Sequence, residues 1–443
     1  MLLQPPKFIT SISSENRDEI LRLVLEQDQL GLMWQEKIRK YICFHNRNLG
    51  KVSKLRFADD HFLHIVWMRD MFLTLAKRSL ETNITYHDSS ILNAALIAND
   101  ACPQNKSKTT ELEVLLQLLI TQLKFAESIP PRVQGKTPPF NYNIERLSSG
   151  NSVKTPITIF SPSPYSLFTL CTIKLLLALD IEIKSIVFLR FSYQRIKSEF
   201  YRDGLNLFVK RVWRKLILKA DENKDHSEIG LKSLNEAFHS KETDVRKLAQ
   251  LHKIKTFKVN EFNDYINESK SSDGGFCIFT GGGLINKNVL EYFTDGILNI
   301  HMGTLPQYKG MDVVEAPILD GCFKDISLTC HMMAEKLDAG PVIQEIKFNS
   351  DDYHSLGSLR NEMSALMPIL AVDSALKILN ENFNAYPQIH GGKQYYFIHR
   401  RLRDVISDVI NFRYKQNYKS LDSIRDINLN LYNSVLSDVC KRT

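Results

Sequence analysis

The chain has 443 residues, with 57 Lys+Arg against 50 Asp+Glu, 12 His and 7 Cys; 43% is hydrophobic and 24% charged, a globular composition long enough for two or three cores. No segment reaches the ~18 continuous apolar residues of a membrane span; Met1-Leu2-Leu3-Gln4-Pro5-Pro6 has no signal-type apolar core, and the scattered cysteines contain no Cys-x-x-Cys pair for a zinc ribbon. The same cysteine pattern fits a cytoplasmic setting, and the net charge of +7 is spread, with 19 basic and 16 acidic residues in the first 150, so neither a membrane nor a nucleic-acid partner is expected.

Residues 14–150 read mostly as helix. Ser13 and Ser14 can cap a segment carrying Ile20, Leu21, Val24 and Leu25 at helical spacing. Phe62 to Leu80 has no internal Gly or Pro, and Glu111 to Phe125 places Leu112, Leu115, Leu116, Leu119 and Ile120 on one stripe. A breaker-rich run follows, through Pro130-Pro131, Gly135 to Pro139 and Ser148 to Gly150, and reads as a linker. Beyond it short apolar runs alternate with helical segments. Thr155–Ser161, Ile183–Phe191, Ile254–Val259, Phe276–Thr280 and Ile297–Ile300 read as strands, and Leu167–Leu179 as an amphipathic helix. The charged region 195–250 reads as an insertion and 354–384 as a long closing helix. This rhythm predicts an α/β fold: a mostly parallel, Rossmann-like sheet with helices on both faces, behind a mainly helical N-terminal part. The expected division is an accessory domain over 1–150, a catalytic domain over 151–385 and a short extension over 386–443.

Ligands of such sheets lie beyond the carboxyl ends of the strands. There, Thr280-Gly-Gly-Gly283 fits neither the dinucleotide fingerprint nor the P-loop. Asn299 and His301, two apart at a strand end, point to one face. An amide donor beside an imidazole suits a developing oxyanion and a moving proton, although polar strand ends are also common turn features. Asp338, before Ala339-Gly340, sits at a tight turn between two strands, where its carboxylate can face His301. Asp59-Asp60-His61 with His64 lacks further ligands at metal spacing, and no metal is expected. The basic run Lys210–Lys215 reads as a solvated helix face, and Trp34, Trp67 and Trp213 as packing residues.

Taken together, Asn299-x-His301, Leu305-Pro306, Lys309-Gly310 and Asp338-Ala-Gly340, with Asp338 39 positions after Asn299, resemble the folate-dependent formyltransferase family. That family includes the glycinamide ribonucleotide, methionyl-tRNA and sugar N-formyltransferases and formyltetrahydrofolate deformylase. The resemblance is strong over 275–347 and thins over 155–275. It implies formyl transfer from 10-formyltetrahydrofolate to a primary amine of a small metabolite, an amino-sugar nucleotide or an amino-acid-derived intermediate. A hydrolase of the same fold, or a scaffold with a relic domain, are the alternatives, and a homodimer stays open. By the same resemblance Asn299, His301 and Asp338 are catalytic, while Leu284, Ile285, Ala334, Glu335, Leu337 and Asp338 border the pterin. His331 matches a position near the site, or is a packed sheet residue. Two departures stand out. Gly303 occupies a place where many members have Ser, while a branch with a stretch like Met311-Asp312-Val313-Val314-Glu315 also carries Gly there. Ser161-Pro162-Ser163-Pro164-Tyr165 stands where the glycinamide ribonucleotide enzyme grips phosphate, and two prolines make a poor anion nest. Gly391 to Phe397 resembles a strand near the end of small-molecule formyltransferases, or is an edge strand.

Overall fold

Alternation of apolar residues along short strands decides the architecture. In the computed structural model the described residues are 106–128, 155–190, 229–238, 242–269, 273–281, 285–310, 313–380, 383–388, 392–395 and 398–417, with isolated positions between 69 and 99. Outside them lie the helix expected near residues 14–25, most of 62–80, the linker run, Lys210–Lys215, Asp59–His64 and the three tryptophans.

Strands β1 (Ile157–Ser161), β2 (Ile183–Leu189), β3 (Lys255–Val259), β4 (Phe276–Phe279) and β5 (Gly296–His301) pair in parallel, and β7 (Ile326–Met332) and β8 (Val342–Phe348) add antiparallel at one side. The order is β3-β2-β1-β4-β5-β7-β8. The chain leaves β1 in one direction for β2 and β3, then returns to place β4 and β5 on the other flank. That reversal makes the doubly wound, Rossmann-like arrangement and opens a crevice beyond the carboxyl ends of β1 and β4.

Period-2 alternation divides the side chains between two layers. Ile157, Ile159, Ile186, Phe188, Phe276, Ile278, Leu298, Ile300, Leu328 and Cys330 enter one core. It is closed by helices α2 (Leu167–Ala178), α3 (Ile229–Ala237) and α8 (Leu356–Leu379). The other face holds an aromatic cluster of Phe160, Phe262, Phe279, Tyr265, Tyr292 and Phe293, with Phe160 stacked on Phe262 at 4.5 Å. On that second face β5, β7 and β8 present Asn299, His301, Ser327, Thr329, His331, Glu345 and Lys347. The antiparallel side of the sheet is thus polar where the parallel side is aromatic. α2 is not amphipathic: every residue from Phe168 to Leu176 is buried, because α3 and α8 cover its outer side.

The N-terminal helix α1 (Lys106–Phe125) lays its stripe of Leu112, Leu115, Leu116 and Leu119 against α9 (Arg400–Asn417), whose Leu402, Ile406 and Val409 are fully buried. Arg413 joins them to the sheet domain. Its guanidinium pairs with both Asp351 oxygens (2.6 and 2.8 Å), donates to the Leu123 and Ala126 carbonyls (3.1 and 2.7 Å) and lies 3.6 Å from the Phe323 ring centroid. Arg401 pairs with Glu113. Among the described residues no helix is long and apolar enough to cross a membrane.

Candidate active site

β5 ends where the polar face begins. Asn299 lies opposite His331 on β7, and His301 opposite Thr329. His331 is buried, and its Nδ1 is 2.9 Å from the Met332 carbonyl, which can only accept. Nδ1 therefore carries the hydrogen, and Nε2 takes a hydrogen bond from Asn299 Nδ2 at 3.1 Å. Burial first, then the nearby His301 charge, push the His331 imidazole down to about 4, against the opposing pull of Asp338. A neutral His331 thus fixes which end of the Asn299 amide is nitrogen and leaves its second N–H for another acceptor.

His301, also buried, donates from Nε2 to the Tyr308 carbonyl at 2.8 Å. Its Nδ1 is left 3.8 Å from Asp338 Oδ2, while Asp338 Oδ1 is 3.8 Å from His331 Nε2. One carboxylate thus faces both rings, at ion-pair range rather than hydrogen-bond contact. Asp338 adopts φ +48°, and its Oδ2 accepts from the Gly310 amide at 2.9 Å. Tyr308 and Gly310 both belong to the short strand β6 (Tyr308–Gly310), so this strand supplies one backbone partner to each group. Burial lowers the pKa of Lys309 between them, and the Asp338 charge opposes that shift.

Gly303 has a steric reason. A Cβ there would stand 2.8 Å from His301 Nε2, 2.9 Å from the Tyr308 carbonyl and 2.7 Å from Val313 Cγ2. The His301–Tyr308 hydrogen bond closes across the space that a side chain at 303 would fill. Gly303→Ser is expected to destabilise the fold by about 1–3 kcal/mol, read as a lower urea midpoint; an unchanged midpoint would show that the gap can open.

The polar face continues below His301. Thr329 Oγ1 donates to the Gly303 carbonyl (2.8 Å), Ser327 Oγ lies 3.2 Å from Thr329 Oγ1 and 3.0 Å from Thr304 Oγ1, and Thr304 donates to the Asp325 carbonyl (2.8 Å). At its end sit two buried carboxyls, Asp325 and Glu345. Asp325 Oδ2 has no hydrogen-bond partner. Burial, then the Glu345 charge, raise Asp325 from an ordinary 3.8 to about 7, and burial raises Glu345 although Lys347 lies 3.3 Å away. The folded state therefore favours protonated Asp325: its stabilisation is complete in acid and is lost as pH rises from about 4 through about 7. Asp325→Asn removes that loss. The variant should exceed the wild type by on the order of 1–3 kcal/mol at pH 8, with the gap shrinking toward pH 4. Urea midpoints at the two pH values measure it, and a pH-independent gap would contradict the buried acid.

Of the expected pterin neighbours, Leu284 lies outside the described residues. Ile285 packs half-buried against the aromatic cluster. Ala334, Glu335, Leu337 and Asp338 form the turn between β7 and β8, with Leu337 48% exposed. The loop after β1 is closed on itself. Pro162 and Pro164 have no N–H, Tyr165 N is spent on Ser163 Oγ (3.3 Å) and Ser166 N on the Ser163 carbonyl (3.4 Å). Arg246, on α4 (Val245–Leu251), packs over Tyr165 and donates to its hydroxyl, and the Val245 amide takes the Pro164 carbonyl. Among the described residues no cluster of His, Cys, Asp or Glu could hold a metal ion. The two contacts not anticipated from the sequence are the Tyr308 carbonyl and the His331–Asn299 bond, although the resemblance places His331 near the site.

Residues 260–372 match the model of the formyl transferase family, described as "Formyl transferase". The chain is 31% identical over 107 residues to methionyl-tRNA formyltransferase of Halalkalibacterium halodurans, a match covering 24% of this chain and 33% of the relative. It is 31% identical over 119 residues to that of Pseudothermotoga lettingae, covering 27% and 38%. The chain thus spans about a third of the length of these curated relatives. Among solved structures, phosphoribosylglycinamide formyltransferase from Bacillus halodurans is similar at 14% identity, over 51% of this chain and 96% of that one, with a TM-score of 0.34. The N-formyltransferase from Helicobacter canadensis, in complex with folinic acid and dTDP-3-aminofucose, is similar at 13% identity, over 60% and 84%, with a TM-score of 0.35. With the Asn299, His301 and Asp338 signature inside the matched region, residues 260–372 carry a domain of the formyl transferase family.

Proposed function

We propose that the chain transfers a formyl group from 10-formyltetrahydrofolate to the primary amine of a small metabolite. The observation that carries this reading is the Asn299 carboxamide, whose nitrogen is oriented by a neutral His331 at the mouth of the polar face. The amine attacks the formyl carbon, and its oxygen gains negative charge. Asn299 meets that charge with its second N–H, and His301, in its cationic form, shares it. The carbon–N10 bond then breaks, and the proton released by the amine reaches N10 with Asp338 as the relay through a water. Leu284, Ile285 and the turn 334–338 would border the pterin. The catalytic unit in this reading is 151–385, with 1–150 as an accessory helical part.

The closed loop after β1 argues against an acceptor gripped by phosphate at that loop. The test incubates the full chain and 10-formyltetrahydrofolate with a panel of amino sugars, amino acids and methionyl-tRNA, read by mass spectrometry. A small amine heavier by one CO supports the reading. Formylated methionyl-tRNA would overturn the small-molecule acceptor, and folate turnover with no acceptor would identify a hydrolase. Tetrahydrofolate should also raise the thermal midpoint by mass action; no shift at saturation would remove the folate assignment.

A further inference from the structure

Two described segments that follow α8, 383–388 and 392–395, approach the site from outside. Tyr386 and Val342 exchange backbone hydrogen bonds of 2.8 Å each, at the start of β8. Gln388 Nε2 then donates to the Asp338 carbonyl at 3.0 Å and to the Gly340 carbonyl at 2.7 Å. Strand β9 (Lys393–Tyr395) goes on to pair in parallel with β6, the strand whose Tyr308 carbonyl holds His301 and whose Gly310 amide holds Asp338.

The Asp338 turn needs such support. A non-glycine residue at φ +48° is held by its surroundings rather than by its own preference. Gly340 leaves no slack either, since a Cβ there would lie 1.8 Å from the Met332 carbonyl oxygen. Gln388 spends both donors of its amide on this turn, while its Oε1 is buried and bonded to nothing. A buried acceptor without a partner costs stability that an apolar side chain of the same size would not. The amide is therefore there for its donors.

We propose that Gln388 is a positioning residue: it sets the backbone of the turn so that the Asp338 carboxylate faces His301 and His331. The catalytic consequence rests on the formyl-transfer reading; the positioning itself does not.

The test uses the full chain with Gln388→Met, which keeps the volume and removes the donors, and Gln388→Glu. Hydrogen exchange of the peptide containing Gly310 reports whether Asp338 Oδ2 still holds that amide, and 10-formyltetrahydrofolate turnover reports the chemistry. In Gln388→Met the Gly310 amide should exchange about tenfold faster, and kcat should fall about tenfold with a smaller change in KM. Gln388→Glu, relative to the wild type at each pH, should lose more at pH 8 than at about pH 5.5, where a protonated carboxyl regains one donor. Wild-type exchange and kcat in Gln388→Met, or a pH-independent defect in Gln388→Glu, would overturn the proposal. A wild-type chain that neither binds nor turns over folate would instead overturn the formyl-transfer reading, and the exchange measurement would still decide the role of Gln388.

Discussion

Asn299→Ala is expected to lower turnover of 10-formyltetrahydrofolate by about 10²-fold or more, the usual consequence of removing one oxyanion donor. The loss should fall on kcat and spare KM, because the bond to the formyl oxygen strengthens only as charge develops there. The substitution also strips the buried His331 Nε2 of its donor. Asn299→Asp keeps the shape of the side chain, loses both donors and presents a negative charge to the oxyanion, so it should be at least as impaired. A thermal midpoint close to the wild type would show that the fold survives, since Asn299 contributes no apolar packing. Near-normal turnover in the alanine variant would remove Asn299 from the mechanism.

Much of this arrangement is legible in the residues. The cores of β1, β2, β4 and β5 are short β-branched and aromatic runs bounded by breakers, so period and length agree on their type. The turn at Asp338 is announced by Ala339-Gly340, and the helix over 106–125 by its leucine stripe. Less legible is anything that depends on register. His331 meets Asn299 only because β5 and β7 pair antiparallel with that offset, and a bulge between Cys330 and His331 shifts the neighbouring β7–β8 pairing. The outer cover of α2 is equally hidden, since α3 and α8 reach it from 60 and 190 positions further along the chain, on the order of a long-range contact no local pattern encodes. The helix α9 falls in the stretch expected only as a short extension; it carries Leu402, Val405, Ile406 and Val409 at helical spacing, and its role is tertiary, as the bridge from Arg413 to Asp351 and α1. The polar face itself follows from the alternation along β7. Serine, threonine and histidine at 327, 329 and 331 fall on one side, and leucine and cysteine at 328 and 330 on the other.

Asp338→Asn should abolish most activity, about 10²–10⁴-fold by the range for a lost acid–base group, while leaving the turn in place. Asparagine tolerates the left-handed conformation that Asp338 occupies at φ +48°. Its amide oxygen can also accept the Gly310 amide in place of Oδ2. The change therefore removes a charge and keeps a shape. That charge is the one anionic group within 4 Å of both His301 Nδ1 and His331 Nε2 among the described ion pairs. Without it, a proton arriving on His301 Nδ1 has no counter-charge, and the proton shed by the attacking amine has no relay toward N10. Asn299 would still polarise the formyl group, so tetrahydrofolate should protect the variant thermally as it protects the wild type. This pairing of intact binding with lost turnover distinguishes a proton-transfer role from a collapsed loop. A variant that binds tetrahydrofolate and turns over at the wild-type rate would show that the carboxylate takes no part in moving the proton; one that fails to bind would place Asp338 in the pterin contact instead.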